Sequence, residues 1–195
     1  MAEKESKNKW HTPAERIMML GFAAVILLGT ILLCLPVSAA DGKSVYWLDA
    51  LFTATTSVCV TGLVTVPTAT TWSTFGKIVI LGLIQFGGLG IMACLTMVFL
   101  ILRRKISLQS RKLIQDTYNL PVLKGSVGIV RKLLIGTAAV ELAGAFFYSF
   151  WFVPEYGFWK GIGYSLFHSV SAFCNAGIDP VSYTHLRAHE TAANL

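Results

Sequence analysis

The sequence predicts an all-α integral membrane protein, and three observations predict it. The chain of 195 residues is 54% hydrophobic and 13% charged, about half the 25% charged fraction of an ordinary soluble domain. Its mean hydropathy is +0.64. Three apolar runs are long enough for a helix to cross a bilayer, at 1.5 Å of rise per residue. Finally, one unit occurs twice: a spanning run followed by a short apolar segment ending in Cys-x-x-Gly.

Residues 1–16 are polar and carry Lys4, Lys7, Lys9 and Arg16, so they form a cytoplasmic lead rather than a cleavable signal. Residues 17–37 hold no charge and make the first span. Pro36 falls at its end, as a residue that cannot continue a helix. Within residues 38–77 the apolar stretch 47–63 is too short to cross, which suits a re-entrant segment. Residues 78–102 form a second charge-free run, long enough to tilt. A basic linker, 103–132, follows. Residues 133–153 make the third span, with Glu141 as its one charge and Pro154 closing it. Residues 158–178 are a second short apolar stretch.

The basic residues set the orientation. Segment 103–132 holds Arg103, Arg104, Lys105, Arg111, Lys112, Lys124, Arg131 and Lys132 against one acid, Asp116. Such a cluster marks the cytoplasmic side. Segment 38–74 carries only Lys43 as a basic residue, so it faces out, as does 154–160. The protein is then multi-pass in the cell membrane with its N-terminus inside, and both short segments enter from the outer side. Trp47, Trp72, Trp151 and Trp159 fall near the expected outer boundaries, where interfacial aromatics gather.

The two short segments align without gaps, residues 50–63 on residues 165–178. Leu51, Phe52, Cys59 and Gly62 fall on Leu166, Phe167, Cys174 and Gly177. A helix that stops halfway leaves carbonyls and irregular backbone at membrane depth, tolerated only inside protein or against a water-filled cavity. The negative end of that helix favours a cation there. Glycine permits backbone angles that turn successive carbonyls toward one axis, where they replace the hydration shell of an alkali cation.

Several classes are excluded. The net charge of +6 sits at the ends of apolar runs, not on a polar face with a nucleic-acid motif. Cys34, Cys59, Cys94 and Cys174 form no CxxC pair, so neither a zinc site nor a disulfide framework is expected. No catalytic set or phosphate loop is present. Gly125-Ser126-Val127-Gly128 lacks the lysine of a P-loop. The expectation is no enzyme and no bound metal beyond the transported ion.

At the Cys-x-x-Gly segments the chain resembles the Trk/Ktr/HKT superfamily of potassium transporters, most of all the Ktr-type membrane subunit. Thr56-Ser57-Val58-Cys59-Val60-Thr61-Gly62-Leu63-Val64 is similar to its first pore loop. Gln85-Phe86-Gly87-Gly88-Leu89-Gly90-Ile91-Met92 resembles the signature of the helix after that loop, and Phe173-Cys174-Asn175-Ala176-Gly177 resembles the second pore loop. The likeness runs from about residue 12 to 179. It implies four helix–pore-loop–helix units around one pore, of which this chain holds about one and a half. The first unit is 17–102, and the second, 133–179, lacks its outgoing helix. It also implies an ion-binding selectivity filter of backbone carbonyls from Val60, Thr61, Gly62 and Leu63, and from Asn175, Ala176, Gly177 and Ile178. Thr61 could add its hydroxyl. Members of the family pass K⁺, in some cases with or alongside Na⁺. They pair with a cytosolic nucleotide-binding regulatory subunit and work as homodimers amid membrane lipid.

Residues 180–195 depart from the family pattern: they hold no apolar run and read as a non-native tail. His185 and His189 in it lie four apart, too few ligands for a metal site. The chain alone is therefore expected not to conduct. Two other readings remain open: a non-transporting membrane scaffold or regulatory fragment, and a cation channel subunit that assembles from copies of itself. Glu141 is expected to partner a polar group of another helix rather than an ion. Gly82, Gly87, Gly88 and Gly90 are expected to admit close packing beside a pore loop, and His168 to cap or pack the second short helix.

Overall fold

The computed structural model describes residues 14–90, Ala93 and residues 126–181. The described residues are helical, with no strand. Helix α1 spans Ala14–Cys34. It stops because Pro36 forces Leu35 into extended backbone, and a short 3-10 turn, Pro36–Ser38, follows. Helix α2 spans Trp47–Cys59, with Asp49 in its first turn, where a carboxylate complements the positive helix end. Helix α3 is the short Thr68–Thr71. Helix α4 spans Thr74–Leu89, α5 spans Ser126–Tyr156, and α6 spans Phe158–Phe173.

Two clips close the loop between α1 and α4 at its base. Ser73 N–H donates to the Ser38 carbonyl at 2.9 Å, and Ala40 N–H to the Thr71 carbonyl at 2.9 Å. The Ser73 hydroxyl donates to the Val37 carbonyl at 2.6 Å and caps α4 by accepting from Gly76 N–H at 3.2 Å. The helical hairpin of α5 and α6 then lies against α4. One apolar core runs through both halves of the chain. It joins Leu33 of α1, Ala54 and Val58 of α2, Ile80 and Ile84 of α4, Phe167 and Val170 of α6, and Ala176 and Ile178 beyond it.

The helices differ from the sequence expectation in their bounds: α1 covers 14–34 rather than 17–37, α4 begins at Thr74 and ends at Leu89 inside the 78–102 run, and α5 begins at Ser126, within the segment read as a linker. Pro154 does not close α5 but lies inside its last turn. Its missing N–H leaves the Phe150 carbonyl without its helical partner, and the helix runs only to Tyr156 before Gly157, with φ +81. Trp72 is not at the surface: it is 2% exposed and packs where a side chain at Gly76 would stand. Trp47, Trp151 and Trp159 are exposed. Among the described residues α5, over Val127–Tyr156, is the helix long and apolar enough to cross a membrane. Residues 1–13, 91–92, 94–125 and 182–195 lie outside the described residues. Much of the N-terminal lead, Cys94, the far part of the second run, most of the basic linker, and His185 and His189 lie there.

Candidate functional site

The two Cys-x-x-Gly segments fold alike and meet. Each follows a helix, α2 or α6, and each turns left-handed at its end. Val60 has φ 56 and Asn175 has φ 57, and two residues on Gly62 has φ 74 and Gly177 φ 67. Val60 and Asn175 are equivalent in the repeat, as are Gly62 and Gly177. Thr61 and Ala176, between them, are not left-handed. The hydrogen bonds repeat too. Thr61 N–H donates to the Thr56 carbonyl at 3.1 Å, and Ala176 N–H to the Ser171 carbonyl at 2.7 Å. A Cβ placed on Gly62 would stand 2.7 Å from the Ala176 carbonyl oxygen, and one on Gly177 would stand 3.7 Å from Gly62 Cα. Of the expected filter residues, Gly62, Ala176 and Gly177 are thus brought together. Leu63 is exposed, whereas its equivalent Ile178 is buried in the shared core.

Each loop is tied by a hydroxyl at the same repeat position. Thr56 Oγ1 lies 2.7 Å from Thr61 Oγ1. Ser171 Oγ donates to the Ile178 carbonyl at 2.9 Å and accepts from Ile178 N–H at 3.2 Å. The first tie uses the Thr61 hydroxyl that the sequence offered as an ion ligand. These two hydroxyls went unremarked in the sequence, although the repeat pairs them and could have shown them.

Behind the second loop sits a polar cluster at a helix crossing. Gln85 Nε2 of α4 donates to both Glu141 oxygens of α5, at 2.9 and 3.1 Å. Glu141 is buried, and a carboxylate only accepts, so the amide NH₂ must face it. That leaves Gln85 Oε1 toward the Cys174 thiol, 3.8 Å away. Ser169 Oγ donates to the Glu141 backbone carbonyl at 2.5 Å. Glu141 therefore partners another helix. Gly87 and Gly88 of α4 lie against the loops: a Cβ on Gly87 would overlap the Val58 carbonyl, and one on Gly88 the Cys174 sulfur. His168 sits mid-helix, not at a cap. Its Nδ1 lies 2.9 Å from the Tyr164 carbonyl, its Nε2 3.2 Å from Asp179, and its ring 4.7 Å from that of Phe152.

This cluster predicts a stability pattern. Gln85→Leu strands a buried carboxylate and is expected to cost about 1–3 kcal/mol or more. Replacing both partners, Gln85→Leu with Glu141→Leu, is expected to recover most of that loss. Thermal unfolding of the detergent-solubilised chain measures both. Equal losses in the single and double variants would show that the pair contributes nothing as a pair.

The chain matches the family model described as TrkH, cation transport protein, over residues 6–184. It is 42% identical over 177 residues to the Ktr system potassium uptake protein B of Bacillus subtilis, covering 90% of this chain and 39% of that protein. It is 42% identical over 176 residues to the potassium/sodium uptake protein NtpJ of Enterococcus hirae, with 90% and 39% covered. The Ktr system potassium uptake protein B of Vibrio alginolyticus is 37% identical over 174 residues, with 89% and 37% covered. The chain spans about two fifths of the length of these curated relatives.

Proposed function

The chain belongs to the TrkH cation transport family, a family of membrane transporters and not of enzymes, and from that premise we propose that it forms part of a K⁺ translocation pore. In this reading residues 17–102 are one helix–pore-loop–helix unit and residues 133–179 the start of a second, joined by a cytoplasmic linker over 103–132. The N-terminus is inside, the protein is multi-pass, and both loops enter from the outer side. Carbonyls of Val60, Thr61, Gly62 and Leu63 and of Asn175, Ala176, Gly177 and Ile178 line one side of the ion path. Na⁺ is a second candidate cargo, since one relative is named for both ions. A cytosolic nucleotide-binding subunit and a second copy of the membrane subunit complete the assembly.

The observation that carries this reading is the repeated left-handed pair, Val60 with Gly62 and Asn175 with Gly177. In a strand, successive carbonyls point to opposite sides. Residues of alternating hand undo that reversal, so carbonyls lean to one side. A β-branched residue such as Val60 is rarely left-handed, and such strain gathers at functional sites. The loops follow the C-terminal ends of α2 and α6, whose partial negative charge favours a cation. A scaffold has no use for this backbone.

A filter needs carbonyls all round the ion, and two loops supply them on one side. Joined to the part of the Bacillus subtilis relative beyond the matched segment, the chain is expected to restore growth of a potassium-uptake-deficient strain at low K⁺. The chain alone is expected not to. Rescue by the chain alone would favour a self-assembling channel, and failure of a membrane-inserted chimera would favour a scaffold.

A further inference from the structure

Between α4 and α6 the molecule carries a groove of about 460 Å³. Its walls are apolar, built from Ile78 and Leu81 of α4 and Leu166 and Phe167 of α6. Lys77 and Lys160 stand near the N-terminal ends of their helices and line the same groove. Lys77 Nζ is largely engaged. It donates to the Ala69 carbonyl at 3.0 Å and the Pro180 carbonyl at 3.2 Å, and lies 5.4 Å above the Tyr164 ring. Among the described residues Lys160 has no hydrogen-bond or ion-pair partner. Burial pushes the Lys77 ammonium below the usual lysine range; Asp179 pulls it back, and Lys160 lowers it further. The groove thus sets two ammonium groups against each other, one of them unneutralised.

A free inorganic anion would answer the charge and leave the walls bare. A neutral acyl chain would cover the walls and leave the charge. One ligand class does both. We propose that this groove binds a single anionic phospholipid, its acyl chain along Ile78, Leu81, Leu166 and Phe167 and its phosphate against Lys160. Trp159, next to Lys160 and 85% exposed, fits a place at headgroup level. Cytoplasmic polybasic segments commonly attract anionic lipid; here the site lies at the end assigned to the outer face, with a fixed place for the chain.

The proposal rests on the membrane placement argued above, not on conduction, so a failed rescue of potassium uptake leaves it standing. The test uses the 195-residue chain in mild detergent, offered equal phosphatidylglycerol and phosphatidylcholine and weighed intact by native mass spectrometry. Phosphatidylglycerol is expected to be retained at least about fivefold over phosphatidylcholine, the contribution of roughly one lysine near a lipid surface. Lys160→Gln is expected to remove most of that preference. Gly163 lines the groove, and a Cβ there meets nothing within 4 Å. Gly163→Leu should therefore fold, fill the groove, and lower retention of both lipids, with circular dichroism confirming the helices. Equal retention of the two lipids by the unaltered chain overturns the proposal. So does an undiminished preference in Lys160→Gln, or undiminished retention in a folded Gly163→Leu.

Discussion

Gly62→Ala is expected to abolish discrimination between K⁺ and Na⁺ in the chimeric transporter, and Gly177→Ala to weaken it. Both glycines are left-handed, and a side chain in that region costs about 1–2 kcal/mol. Their surroundings differ. An added Cβ on Gly62 meets the Ala176 carbonyl oxygen at 2.7 Å, whereas one on Gly177 finds its nearest neighbour, Gly62 Cα, at 3.7 Å. The first substitution adds a steric push on a carbonyl assigned to the ion path; the second adds backbone strain alone. Since about 1.4 kcal/mol is a factor of ten, Gly62→Ala should lower the ratio of ⁸⁶Rb⁺ to ²²Na⁺ uptake about tenfold or more. Gly177→Ala should lower it several-fold. The reverse order, or an unchanged ratio in both, would remove the filter assignment.

The second large effect is expected in α4. Gly82, Gly87, Gly88 and Gly90 look equivalent in sequence, and the structure separates them. A Cβ on Gly87 would overlap the Val58 carbonyl, which is backbone and cannot swing away, whereas one on Gly82 meets nothing within 4 Å. Gly87→Ala must push α4 off α2 and is expected to destabilise by about 1–3 kcal/mol. Gly82→Ala removes a flexible residue from a helix interior and is expected to stabilise by about 0.5–1 kcal/mol. Thermal unfolding of the solubilised chain should move in opposite directions for the two. A shared direction would mean that the α2–α4 contact is not as tight as drawn.

Much of this was legible in the sequence, and the gaps have physical causes. The repeat was visible because Cys59 and Cys174 kept the alignment in register, and the left-handed residues fall at equivalent positions of the two copies. Gly62 and Gly177 announce left-handed backbone by their type, and Asn175 is among the residues that tolerate it. Val60 gave no such signal, since its branched side chain argues for extended backbone. The Gln85–Glu141 pair was half legible. An isolated carboxylate in a span calls for a partner, but nothing in chain spacing says which face of α4 meets α5. The burial of Trp72 was not legible for a related reason. Composition puts a tryptophan near an interface, while Gly76 opens an interior slot that only packing reveals. Pro154 marks the end of α5 only to within a turn: it removes the hydrogen bond to the Phe150 carbonyl, yet the helix runs on to Tyr156.

The core that joins Leu33, Val58 and Ile84 to Phe167, Val170 and Ile178 also sets a delay during synthesis. Helices α1 to α4 have left the ribosome well before the residues of α6 that complete this core are made. At about 5–20 residues per second, that interval is on the order of ten seconds. Throughout it, the face of α4 that will meet α6 stands open. A nascent chain of this kind is exposed to lipid, to the insertion machinery and to quality-control proteases at the surface that later becomes its most protected.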